Sequence, residues 1–104
     1  NISFSVLISD DMKEADILKL QKKLNQEPFV KQSEYISKKQ ALKEQTEAMG
    51  TDPEEFLGYN PFTASLEIKL HSDYANSDSI AKIEKKIKRN TNIQDVLYRK
   101  ELIV

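Results

Sequence analysis

The sequence has no cysteine and no tryptophan, a single histidine, two glycines and three prolines. Without cysteine there is no thiol nucleophile, no disulfide and no thiolate metal site, and the fold must hold together in any redox compartment without staples. With Gly50 and Gly58 as the only glycines, a glycine-rich phosphate loop is excluded. The longest aliphatic run, Val6-Leu7-Ile8, falls far short of the ~20 residues of a membrane helix, and no basic region with an apolar stretch follows Asn1. The expectation is a soluble piece. Charge of one sign is also missing: 16 basic and 17 acidic residues leave −1, too little for the field that draws a protein onto nucleic acid or an anionic membrane.

What remains is one domain's worth of chain, 104 residues, 38% hydrophobic and 32% charged. Its apolar residues are periodic. Ile2, Phe4, Val6 and Ile8 alternate with Ser3, Ser5, Leu7 and Ser9, which predicts a strand whose serine side is solvated. Asp11 with Glu14 is spaced as a capping box, and Ile17, Leu20 and Leu24 form a helical stripe, so a helix is expected over 12–26, ended by Pro28. Residues 29–36 read as a strand of poor alternation at a sheet edge.

Ser37 with Gln40 makes a second capping box, opening a helix that Gly50 closes in the left-handed conformation. Asp52 and Pro53 start a further short helix that Gly58-Tyr59-Asn60-Pro61 breaks. Ala64, Leu66, Ile68 and Leu70 alternate with polar residues as a half-buried strand. Residues Asn76 to Ser79 cap a helix carrying Ile80, Ile83 and Ile87, and Ile93, Val96 and Tyr98 make a last strand whose pattern Asp95 breaks.

The order β-α-β, two short helices, β-α-β most economically folds as an α+β, ferredoxin-like split βαβ sandwich. The main lobe then takes 1–36 and 63–104 of a single domain, and 37–62 form a small helical lobe inserted between strands 2 and 3.

Catalytic chemistry has few candidates. His71 stands beside Lys69 with no nucleophile at a telling spacing, and Ser3, Ser5 and Ser9 have no base. The pairs Asp10-Asp11 and Glu54-Glu55 lie at helix starts, where carboxylates suit the dipole. No catalytic, metal or cofactor residues are assigned, and the chain is not expected to be an enzyme or to take a small-molecule substrate. The basic helix of Lys82, Lys85, Lys86, Lys88 and Arg89 lacks interleaved aromatics, and the strands lack the stacking platform of an RNA-binding sheet. The lobe is different. Met49, Phe56, Leu57, Tyr59 and Phe62 place three of the eight aromatic rings in two helices too small to enclose them. They form either a mini-core that clamps the lobe down or an exposed partner site.

Further residues carry a resemblance. Tyr35-Ile36-Ser37-Lys38-Lys39-Gln40-Ala41-Leu42, then Met49-Gly50, then Asn60-Pro61-Phe62-Thr63-Ala64-Ser65-Leu66-Glu67-Ile68, and finally Val96-Leu97-Tyr98, form an ordered set that resembles the extracytoplasmic domain of the bacterial cell-division permease family FtsX. Phe62-Thr63 stands where that family often has a second proline. The resemblance implies a membrane subunit of an ABC-type complex with the cytosolic ATPase FtsE, whose external domain faces the periplasm or cell exterior. That domain would bind a peptidoglycan hydrolase or its coiled-coil activator. It implies partner contacts at Met49, Phe56, Leu57, Tyr59 and Phe62, and a lobe junction that tilts at Gly50, Asn60 and Pro61. It also fits a chain that opens in a strand without methionine and closes on Leu102-Ile103-Val104, the expectation for an excised piece. Two alternatives stay open: the periplasmic domain of another ABC-type permease, and a ferredoxin-like module regulated by a small ligand.

Overall fold

In the computed structural model, residues 2–100 are described, so the closing Leu102-Ile103-Val104 lies outside them. The elements run β1 (Ile2–Ile8), α1 (Glu14–Asn25), β2 (Val30–Ile36), α2 (Lys38–Met49), α3 (Pro53–Leu57), β3 (Ser65–Leu70), a 3₁₀ turn (Ser72–Tyr74), α4 (Ser77–Lys88) and β4 (Ile93–Lys100). The four strands form one sheet in the order β2-β3-β1-β4, with every neighbouring pair antiparallel. Each βαβ unit straddles a strand of the other, which is the ferredoxin-like split βαβ arrangement.

One face of this sheet is the core. Phe4, Val6, Ile8, Leu66 and Ile68 are fully buried, joined by Leu70 and Val96 from the strands and by Ile17, Leu24, Ile83 and Ile87 from α1 and α4. The alternation of β1 and β3 produces this face directly, since register pairs Phe4 with Ile68 and Val6 with Leu66. Tyr98 lies opposite Phe4 on β4 and meets it edge-on, with centroids 5.7 Å apart.

The two strands with irregular sequence patterns are the two edges, and each carries a bulge. On β2, Val30 pairs with Leu70 but Gln32 pairs with Lys69, so Lys31 is the extra residue. The slip turns Val30 inward while allowing Ser33 and Tyr35 to face the same side. On β4, Ile93 pairs with Ile8 and Asp95 with Leu7, leaving Gln94 as the extra residue and placing Asp95 on the outer face. A bulge changes the parity of the chain, and that is why both patterns look broken in sequence.

Helix ends follow their caps, with one exception. Ser37 Oγ accepts from Gln40 N at 3.1 Å, Asp52 Oδ1 from Glu54 N at 2.9 Å, and Asn76 Oδ1 from Ser79 N at 2.9 Å. Gly50 and Gly58 end α2 and α3 with φ of 76° and 78°. The capping box expected at Asp11 does not form. Helix α1 begins at Glu14 behind Lys13, which makes no side-chain cap. A turn from Ser9 carries the chain into it, in which Met12 N donates to Ser9 O at 3.1 Å.

The outer face of the sheet also differs from the expectation. Ser5 is 2% exposed, not solvated, and its hydroxyl donates to Glu67 Oε1 at 2.7 Å. The inserted helices shelter this face: Ala41, Glu44 and Gln45 of α2, with Pro61 and Phe62, line a groove of about 480 Å³ whose floor includes Ser5, Ser65 and Glu67.

A candidate partner-binding lobe

Helices α2 and α3 hang from the sandwich by a few polar ties. Asn60 Nδ2 donates to the Lys38 carbonyl at 2.9 Å, and Asn60 Oδ1 accepts from Phe62 N at 2.9 Å, so one side chain fastens the exit of the lobe to its entrance. The Lys38 ammonium reaches Asp10 Oδ2 at 2.8 Å in the loop after β1. Past this base, little is buried. No residue of α2 is buried, and in α3 only Pro53 is.

The aromatic and aliphatic side chains singled out from the sequence divide into two groups. Phe56 is 76% exposed, Tyr59 60%, Met49 56% and Leu57 48%; Met49, Phe56 and Leu57 belong to α2 and α3, and Tyr59 stands beside the base. Phe62 is half-buried and sits at the base, where it lines both the groove over the outer sheet face and a second groove with Ser9, Asp10 and Tyr59. Gly50 and Asn60 stand at structurally demanding positions, the former left-handed and the latter a tie, whereas Pro61 is exposed.

Two features were not legible in the sequence. One is the Ser5–Glu67 pair, whose second carboxylate oxygen is buried without a hydrogen-bond partner. Glu34 lies directly opposite Glu67 on β2, so the outer face carries two carboxylates side by side. The other is Asn60, whose side chain acts across a stretch of chain that spacing alone does not connect. Elsewhere, burial and then the Glu14 carboxylate push the Tyr35 phenol up, in the groove where α1 meets the base of the lobe. Among the described residues no cluster of three or more metal-ligating side chains is present, and no helix is long and apolar enough to cross a membrane.

The sequence model described as the FtsX extracellular domain matches residues 1–104. The chain belongs to the FtsX extracellular domain family. It is 36% identical over 102 residues to the cell division protein FtsX of Flavobacterium johnsoniae, an alignment that covers 98% of this chain and 35% of that protein. The chain thus spans about a third of its curated relative. In fold it is similar to the crystal structure of extracellular domain 1 of FtsX from S. pneumoniae in complex with undecyl-maltoside, with a TM-score of 0.72, 19% identity and 92% of each chain covered. An FtsX extracellular domain is the outward-facing part of a membrane-bound cell-division protein, and in this one the outward surface includes an apolar helical lobe.

Proposed function

We propose that this FtsX domain acts by protein binding: its helical lobe captures a peptidoglycan hydrolase or the coiled-coil activator of one, and the full-length permease passes FtsE-driven motion to that complex from the plasma or inner membrane. The reading rests on one observation, the four large apolar side chains Met49, Phe56, Leu57 and Tyr59 standing in water on one small lobe. Such exposure has a solvation cost that a monomeric domain ordinarily avoids, and partner sites are its common cause. An amphipathic helix laid on the lobe would remove these side chains from water, with the aromatic rings as anchors.

Asn60, Pro61 and Phe62 at the base are proposed to set the angle of the lobe, and Gly50, between α2 and α3, the angle between its two helices. ATP turnover changes a partner outside only if the lobe holds that partner differently in the two states of the permease. The junction suits this, since the lobe is fastened by a few hydrogen bonds and an exposed ion pair and shares little of the buried core.

The test is titration calorimetry of this domain with the coiled-coil region of the hydrolase activator encoded in the same genome, using wild type, Phe56→Ala and Phe62→Ala. Each variant is first matched to wild type in its denaturation midpoint. Loss of one aromatic anchor is expected to weaken binding by about 2 kcal/mol. Binding that persists unchanged in folded Phe56→Ala places the contact elsewhere and removes the proposal.

A further inference from the structure

The lobe also carries a charge pattern that bears on the chemistry of its partner. From Glu44 to Ile68 the chain contains six acidic residues and no lysine, arginine or histidine, although the whole molecule is nearly neutral. Glu47, Glu54 and Glu55 are exposed and interleave in sequence with Met49, Phe56 and Leu57. Among the described residues, the salt bridges use Asp10, Glu27, Glu84 and Asp95, and none uses a carboxylate of α2 or α3. Asp52 serves its own helix as N-cap. The lobe's own cations, Lys38, Lys39 and Lys43, all stand on the first half of α2 ahead of this run, with Lys38 paired to Asp10, and five of the 16 cations of the molecule lie in Lys82–Arg89 on and beside α4.

Resting on the docking reading above, we infer that the partner segment is an amphipathic helix whose apolar stripe is flanked by lysine or arginine. An apolar stripe alone would satisfy Phe56 and Tyr59. An acidic flank would bring like charges together at the rim of the contact, where charge acts chiefly on encounter rate and on rejection of wrong partners. Lysine and arginine stems would also extend the apolar cover while their heads meet Glu47, Glu54 and Glu55. The same charge argues against an anionic bilayer as the occupant, because helices that lie on such surfaces carry bases on their polar face.

The probes are two synthetic helical peptides with one leucine stripe in common, one flanked by lysine and the other by glutamate. Wild-type domain is expected to bind the lysine peptide at least about tenfold more tightly in about 50 mM salt, with the gap narrowing in about 500 mM as screening shortens the reach of the charges. The double variant Glu54→Lys/Glu55→Lys, matched to wild type in denaturation midpoint, is expected to reverse the preference.

Equal affinity for the two peptides overturns the inference, as does an unchanged preference in the double variant or no binding of the lysine peptide. Binding to vesicles of phosphatidylglycerol that Phe56→Ala abolishes also overturns it, in favour of a lipid surface. The two readings fail separately. If the genome-encoded coiled coil binds in a Phe56-dependent way while the lysine peptide does not, docking stands and the charge assignment falls. If that coiled coil ignores Phe56→Ala, the docking reading itself falls.

Discussion

The sandwich and the lobe are built from the same chain by opposite rules. In the sandwich, Phe4, Val6, Ile8, Leu66 and Ile68 are completely removed from water, and each faces a partner set by strand register or by α1 and α4. In the lobe, side chains of similar size remain largely exposed, and helices of 12 and 5 residues are held by caps, two left-handed glycines and the Asn60 tie. Burial stabilises the first. Local hydrogen bonding and backbone conformation define the second. The contrast teaches that apolar residues at helical spacing do not by themselves announce a core: two short helices lack the surface to cover them, so what faces water is decided by how much scaffold lies behind.

The largest test of that contrast compares two phenylalanines. Phe4→Ala is expected to destabilise the domain by about 3–5 kcal/mol, because it empties a fully buried site. Phe56→Ala is expected to change stability by less than about 0.5 kcal/mol. Urea denaturation of both variants checks this, and a large loss in Phe56→Ala would mean that the lobe has a core of its own.

A smaller effect is expected on the outer face. Ser5→Ala removes the donor to Glu67 and leaves this half-buried carboxylate, whose Oε2 is already buried and unpaired, with neither oxygen hydrogen-bonded to the protein, at a cost of about 1–3 kcal/mol. Ser5→Ala combined with Glu67→Leu should recover much of the loss, since removing both partners removes the unpaired group. A single mutant as stable as wild type would show that water already serves Glu67.

A smaller global effect than that of Ser5→Ala is expected at the tie. Asn60→Ala should cost about 1 kcal/mol or less in overall stability. Amide hydrogen exchange in α2 and α3 should be fast in wild type and faster still in this variant, because the lobe opens locally, whereas β1 and β3 open only globally and should speed up by no more than the loss in overall stability. Protection of α2 and α3 equal to that of β1 would join the two regions into one cooperative unit and erase the distinction drawn between them.

Much of the fold was legible because short-range physics carries it. The alternation of β1 and β3, the caps at Ser37, Asp52 and Asn76, and the glycine at the end of α2 each act within a few residues, and all stand where the pattern puts them. The edge strands were harder to read, since the bulges at Lys31 and Gln94 switch parity and a bulge has no fixed sequence sign. Asp11 was misleading for a similar reason. Its spacing to Glu14 suits a cap, but the turn from Ser9 leads the chain into α1 behind Lys13 instead. The candidate site was legible as a list of residues and not as a surface: Met49, Phe56, Leu57 and Tyr59 stand out by type, yet nothing in their order separates a mini-core from an exposed patch.

The sequence by itself determined the order of the elements, the caps of α2, α3 and α4, the place of α2 and α3 between β2 and β3 and the acidic run from Glu44 to Ile68, because these depend on neighbours along the chain. Only the tertiary structure decided which face of the sheet is dry, that Ser5 and Glu67 pair across strands, that Asn60 fastens the lobe and that Phe56 stands in water. Those outcomes depend on which distant residues come to share a surface, and burial is a property of that surface and not of any residue's own spacing.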